Sequence, residues 1–350
     1  MTADPFRVYR ERDPVHRHAP SDAWLVTRYD DVMALLVDPR LTSQTLGDRI
    51  DTLPSLATEE RAELTAFYGG WLSLVDGSVH RRLRRFVAPI LAPSAVMPWA
   101  PVLEAFADDQ ARSADRADIR DSFAGPYAAR VVAGVLGLSP AEFREVLRAT
   151  GQLLRPVGAG DPSPVQARQA HAALALVAAA ERRLVERAVP VGTPAPLLAG
   201  RELPEELRGA TLVQLVAGGY DPLARCLESY ASAGRLQAPD GATTVAGDGD
   251  VDEVLRLHPP FQLLPRTAVE PVAVGEHVLP RGAKVLLAIG SANHDTTRER
   301  TSSPVAGERA PSHVSFGAGR HRCPAATLAR LAVGAGVRAL RRRWPEGSPQ

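Results

Sequence analysis

The chain has 350 residues, with 41 Lys and Arg against 40 Asp and Glu and a formal net charge of +1, which leaves no excess of positive charge to hold a polyanion and argues against general nucleic-acid binding. With 45% hydrophobic and 23% charged residues, and no uninterrupted apolar stretch long enough to cross a bilayer, it reads as soluble and globular, with no membrane span. Two cysteines, Cys226 and Cys323, without any CxxC pair, exclude a disulfide framework and a closed thiolate zinc site.

In chain order, Met1–Arg10 lacks the apolar run of a signal peptide, and a reducing cytoplasm is expected. Ala23–Thr27 reads as a short strand, followed by a helix with Val32, Leu35 and Leu36 on one face that stops near Pro39. Helical periodicity then predicts helices over Thr58–Leu74, Val79–Leu91, Met97–Arg112, Phe123–Leu136, Pro140–Leu154, Pro164–Ala188 and Glu205–Ser232. After a Gly/Asp/Thr-rich loop, Pro239–Asp250, come a short helix at Val251–Leu257 and valine-rich strands within Pro271–Leu279 and Ala283–Ile289. Asn293–His313 is polar and irregular, and a last helix is predicted over Ala325–Arg341. No repeat is present, so 1–350 is read as one domain, mainly α with small β-sheets.

The segment Phe316-Gly-Ala-Gly-Arg-His-Arg-Cys-Pro-Ala-Ala leads into that last helix. Gly317 and Gly319 let the backbone turn tightly and approach a flat ligand. The following helix start turns N–H groups and a positive dipole end toward Cys323, which favours a thiolate. Taken alone, Cys323 is more simply a buried structural thiol.

Phe316, Gly317, Gly319, His321 and Cys323 resemble the haem-binding signature of the cytochrome P-450 superfamily, FGxGxHxCxG, except that Ala325 stands at the last glycine. Glu253-Val-Leu-Arg256, 70 residues ahead of the cysteine, resembles the family's ExxR element, and Arg309 with His313-Val-Ser-Phe316 its pre-cysteine stretch. The resemblance implies a Glu253–Arg256–Arg309 network on the proximal side, with every charge paired. It implies Cys323 as axial iron ligand and haem b as cofactor, with propionates held by His80, Arg84, Arg266 and His321. The implied fold is a prism-like helical body with the haem between a distal helix at about 205–232 and the last helix at about 325–341. The implied activity is oxidation of a small or carrier-tethered molecule in bacterial natural-product or antibiotic biosynthesis, with O2 and electrons from a ferredoxin and its reductase. Arginines at 81, 82, 84, 85, 320 and 322 form a candidate ferredoxin face, or reflect an arginine-rich composition.

Two departures stand out. Ala217-Gly218-Gly219-Tyr220-Asp221-Pro222 aligns with the distal A/G-G-x-D/E-T-T motif so that Ala217 and Gly218 make room for haem and oxygen. In this register Tyr220 stands at the acid position and Asp221 at the alcohol position. Asp221 then delivers protons through a water, binds a cationic substrate group, or simply turns the chain before Pro222, where a kink is expected. Second, only the last helix follows Cys323, without the closing β-hairpins, which implies an open pocket. The alternatives are coupling, rearrangement or dehydration without the usual relay, and a non-catalytic auxiliary partner of a glycosyltransferase.

Overall fold

The computed structural model describes residues 5–43, 53, 56–157, 163–186, 204–232, 248–295 and 313–345. Arg309 and most of the Pro239–Asp250 loop lie outside these residues.

Seven short strands are described: β1 (Val15–His18), β2 (Ala23–Val26), β3 (Leu41–Thr42), β4 (Leu264–Ala268), β5 (Val272–Val274), β6 (His277–Leu279) and β7 (Lys284–Leu287). Five form one sheet in the order β1-β2-β7-β4-β3, and β5-β6 form a hairpin. β2 and β7 pair in parallel, Leu25 opposite Leu286, while β4 runs antiparallel to β7, Arg266 opposite Val285. Val26, Val285 and Leu287 are fully buried there and pack with Val32, Leu35 and Leu36 of the Tyr29–Val37 helix. The apolar face of that helix is what holds it on the sheet.

β4 was not expected as a strand, because Pro265 lacks an N–H for the ladder. It is tolerated because β3 pairs only Leu41 with Ala268 and Thr42 with Thr267, so Pro265 lies beyond the β3 ladder. β1 and the Arg7–Arg12 helix before it were also missed. That helix buries none of its residues, so no apolar periodicity marks it.

The helical body follows the periodicity closely. The long helix is Glu205–Ser232 and continues through Pro222, and the last helix is Ala326–Arg343. The run expected at Thr58–Leu74 breaks at Gly69–Gly70 into a helix, Thr58–Gly69, and a 3-10 turn. The run expected at Met97–Arg112 opens with a 3-10 turn, Met97–Trp99, before the helix Ala100–Ala111. The helix Gly125–Leu136 is entered through a π-helical turn, Arg120–Ala124. Ser139 and Glu142 form a capping box at the start of Pro140–Leu154.

The run Gly77–Ala111 is long and apolar enough, by length and composition, to cross a membrane. It is, however, divided into Gly77–Ile90, Pro93–Val96, Met97–Trp99 and Ala100–Ala111, and Leu83, Val87 and Leu103 face the protein core.

The largest apolar cluster joins the Gly77–Ile90, Ala100–Ala111 and Gly125–Leu136 helices to the long and last helices. Phe123 and Tyr127 are fully buried within it, each contributing roughly 2–3 kcal/mol of burial. Gly336 marks where the last helix comes closest to its neighbours. A Cβ there would meet Leu227 of the long helix at 2.9 Å and Tyr127 at 3.3 Å. The Tyr127 hydroxyl donates to the Ala332 carbonyl at 2.9 Å, fixing the same crossing.

Candidate active site

The cysteine loop is shaped by its glycines. Gly317 and Gly319 sit at φ +66° and +62°, and a Cβ on Gly319 would lie 3.0 Å from Val37. Only glycine meets both conditions at 319. The Cys323 N–H donates to the Phe316 carbonyl at 2.8 Å and the Gly317 N–H to the Val314 carbonyl at 2.8 Å, closing the loop under the half-buried Cys323. Ala325, where the family signature has glycine, sits at φ −89° and is unstrained. The Arg330 guanidinium lies 4.6 Å over the Phe316 ring, and its Nε donates to Asp252 at 2.7 Å.

Burial pushes the Cys323 thiol up, and the Ala325 N–H with Arg84, Arg322 and Arg330 only partly offsets this. The helix start favours the thiolate, in the direction the sequence suggests, while burial favours the thiol. A bound metal cation would supply the missing stabilisation by displacing the proton.

Around the loop, His80, Arg84, Arg266 and His321 come together as expected. The His80 and His321 rings lie 4.5 Å apart. Arg84 donates to the Arg322 carbonyl at 2.6 Å, and the buried Arg266 to its neighbouring Pro265 carbonyl at 2.8 Å. Sequence reasoning missed Asp76, four residues ahead of His80. Its Oδ2 accepts from Thr42 Oγ1 at 2.6 Å and the Ser43 N–H at 2.7 Å, and its Oδ1 from Arg320 Nε at 2.9 Å. His321 Nε2 lies 2.7 Å from Asp76 Oδ1 and 2.7 Å from Ser43 Oγ. Burial pushes the Asp76 carboxyl up, but the donors of Thr42, His321, Arg320 and Ser43 hold it well below the usual carboxylate range. The only sequence signal for it was an acid just ahead of the helix that carries His80 and Arg84.

These residues fit a dianionic ligand. Asp76 pairs with Arg320 and His321 and lies near Arg266 and His80, Arg84 lies by Cys323 and Arg322, and His80 Nε2 is buried without a hydrogen-bond partner. Burial lowers the pKa of Arg266 and that of Arg84, and the nearby Asp76 and Cys323 only partly offset it, so additional negative charge would be stabilising there. Two haem propionates would supply it.

On the ExxR side, Arg256 makes two hydrogen bonds to Glu253, at 2.7 and 2.6 Å, and one to the Asn293 carbonyl at 2.6 Å. Glu253 is 40% exposed, so the pair is half-buried rather than sealed. Asn293, placed by sequence reasoning in an irregular segment, is fully buried in the helix Ile289–Asn293. Its Oδ1 accepts from the Val314 N–H at 2.8 Å and its Nδ2 donates to Ser315 Oγ at 2.8 Å. Ser315 Oγ in turn donates to the Leu255 carbonyl at 2.7 Å. The Ser315 N–H donates to His313 Nδ1 at 3.2 Å, so His313 Nε2 carries the proton facing Asp252.

The packing of the long helix also admits a register one residue later than the expected one. Ala217 is partly buried and packs with Val213 against the Thr58–Gly69, Pro140–Leu154 and Pro164–Glu186 helices. Tyr220 is edge-on to Phe143 at 5.7 Å, and a Cβ on Gly219 would touch Val132 at 3.0 Å. Gly218 is exposed, and a Cβ there would meet nothing within 4 Å. Gln214 and Pro222, both partly buried, lie one turn before and one turn after Gly218 on the same side of the helix. Shifting the motif by one residue places Gly218-Gly219 at its small pair, Asp221 at the acid and Pro222 at the alcohol. Asp221 is held by Arg120 of the π-turn, at 3.0 Å, and by Arg225, while Arg120 also reaches Glu228 at 3.2 Å.

Comparison with known proteins agrees with this geometry. The family model for cytochrome P-450 matches residues 249–340. The polyketide biosynthesis cytochrome P-450 PksS of Bacillus subtilis is 27% identical, over 98% of this chain and 89% of that protein. Cytochrome P-450 107B1 of Saccharopolyspora erythraea is 29% identical, over 93% and 82%. The crystal structure of CalO2 superposes with a TM-score of 0.79 at 28% identity, covering 96% of this chain and 87% of that one. The chain belongs to the cytochrome P-450 superfamily. It is an oxidoreductase of the P-450 fold, and the cofactor of that superfamily is a haem held by a cysteine thiolate.

Proposed function

We propose that this P-450 oxidises a small molecule of bacterial secondary metabolism, free or tethered to a carrier protein, with Cys323 as axial ligand of haem b. O2 and ferredoxin-derived electrons are the co-reactants, and the cytoplasm is the working compartment. The observation that carries this reading is the surplus of donors around Asp76, with the orphaned His80 Nε2, beside Cys323. Arg84, Arg266, His80 and His321 would hold the propionates, and Phe316 and Gly317 the face of the macrocycle. When bound, the haem supplies the iron at which O2 is reduced. PksS acts in polyketide biosynthesis, and that relationship supports the substrate class.

The chain's own contributions are positioning and proton supply. Gly218 leaves room beside the long helix, as expected of a residue facing haem and oxygen. Asp221 lies at the solvent margin between Arg120 and Arg225, where it can exchange a proton with water and pass it inward. Arg256, braced by Glu253 and Asn293, fixes the segment leading to the cysteine loop; Arg309 would complete that network.

The deciding experiment is the reduced, CO-bound optical spectrum of wild type beside Cys323→Ser. A thiolate-type Soret band in wild type, lost in the variant, is expected; its absence from both refutes thiolate ligation and turns attention to an auxiliary role. A second reading, chemistry without net oxygen insertion, is favoured by Pro222 standing where a hydroxyl is usual. Turnover under 18O2 separates the two, since label in the product rules the second out.

A further inference from the structure

We infer that the backbone carbonyl of Gly218 is a substrate-recognition group, accepting a hydrogen bond from a hydroxyl or N–H of an otherwise apolar substrate. This rests on the proposed placement of the substrate along the open side of the long helix. In an uninterrupted α-helix the carbonyl of residue 218 is the acceptor for the N–H of residue 222. Residue 222 is proline, which has no N–H and whose ring crowds that carbonyl, yet the helix runs on to Ser232. The Gly218 acceptor is thus released from the helical ladder without the helix ending.

Where the released carbonyl lies is decided by the packing. Ala217, Gly219 and Tyr220 are each partly buried against neighbouring helices, whereas Gly218 is exposed and has no side chain to shield its own carbonyl. One turn earlier on the same line, Gln214 Oε1 already accepts from the Ser73 N–H at 3.3 Å. A carbonyl that lacks its helical partner, on an exposed glycine, favours ligands that bring a donor. Leaving it unpaired on binding forfeits a hydrogen bond, while an alcohol or amide restores one. Asp221 is paired to Arg120 and Arg225, so recognition of a neutral donor falls to the backbone.

The test uses the haem-loaded protein and two probes of equal length, 1-octanol and 1-methoxyheptane, of which only the first donates. Dissociation constants are measured by titration calorimetry for wild type, Pro222→Ala and Pro222→Val; both variants restore the N–H that closes the Gly218 carbonyl into the ladder. Wild type is expected to prefer the alcohol by about three- to tenfold, the worth of one hydrogen bond, and both variants to lose most of that preference. An unchanged preference in either folded, haem-containing variant, or none in wild type, overturns the inference. Wild type lacking the thiolate-type Soret band overturns the haem reading and this inference with it, whereas a normal band with equal probe affinities overturns this inference alone.

Discussion

His80 shows how one buried side chain ties the cofactor pocket to pH. Burial, followed by the neighbouring His321 and Arg84, lowers its pKa to about 4 from 6.5. It is therefore neutral in the folded protein over a range where the unfolded chain is protonated. The sign follows: its contribution is intact above about pH 6.5 and is lost as pH falls toward 4. The urea midpoint of the haem-free protein is expected to drop between pH 7 and 5, and His80→Asn to flatten that drop; an unaltered slope in the variant would place its origin elsewhere. Asp76 has the same sign at lower pH, because its donors favour the carboxylate. Asp76→Asn keeps the shape but removes the charge that holds His321 and Arg320. Faster haem loss to an excess of a haem-scavenging globin is expected, by about tenfold, a single charge-assisted bond's worth.

At the scale of elements, two short pieces of irregular sequence do more than the long helices to place the site. Asn293 carries no periodicity, yet it links the ExxR helix to the segment before the cysteine loop through Arg256, Val314 and Ser315. Asn293→Ala leaves the Val314 N–H without its acceptor, and a loss of about 1–3 kcal/mol in unfolding free energy is expected from denaturant titration. Gly319 holds a left-handed conformation against Val37. Gly319→Ala is expected to cost about 1–2 kcal/mol from backbone strain alone, read as a lower melting temperature together with reduced haem occupancy. In the long helix the spacing of apolar residues predicted the bounds correctly, but not that Gly218 stays exposed, because that depends on what packs against each face.

At the scale of the whole molecule, the gap between the long and last helices is set where Gly336 meets Leu227 and Tyr127. Gly336→Val overfills that crossing, and a destabilisation of about 1–3 kcal/mol with a blue-shifted or weakened Soret band is expected. The ion pairs of Arg338 and Arg342 with Glu104 and Asp108 bind the same last helix to Ala100–Ala111 from outside. Being a third to half exposed they carry little, and Arg342→Ala is expected to change stability by less than about 0.5 kcal/mol. The contrast between the two substitutions separates packing from surface charge as the determinant of the haem slot.

The family and the cysteine loop as candidate site were legible from sequence, because glycine, cysteine and histidine at fixed short spacings act through local backbone geometry. Helices were legible for the related reason that apolar periodicity is a property of consecutive residues. Asp76 as partner of His321, Asn293 as a buried hub, Pro265 inside a strand and the exposure of Gly218 on the long helix were not. Each depends on residues far apart in the chain meeting across packed elements, and only the tertiary structure decides which face of a helix is covered and which carbonyl is left open.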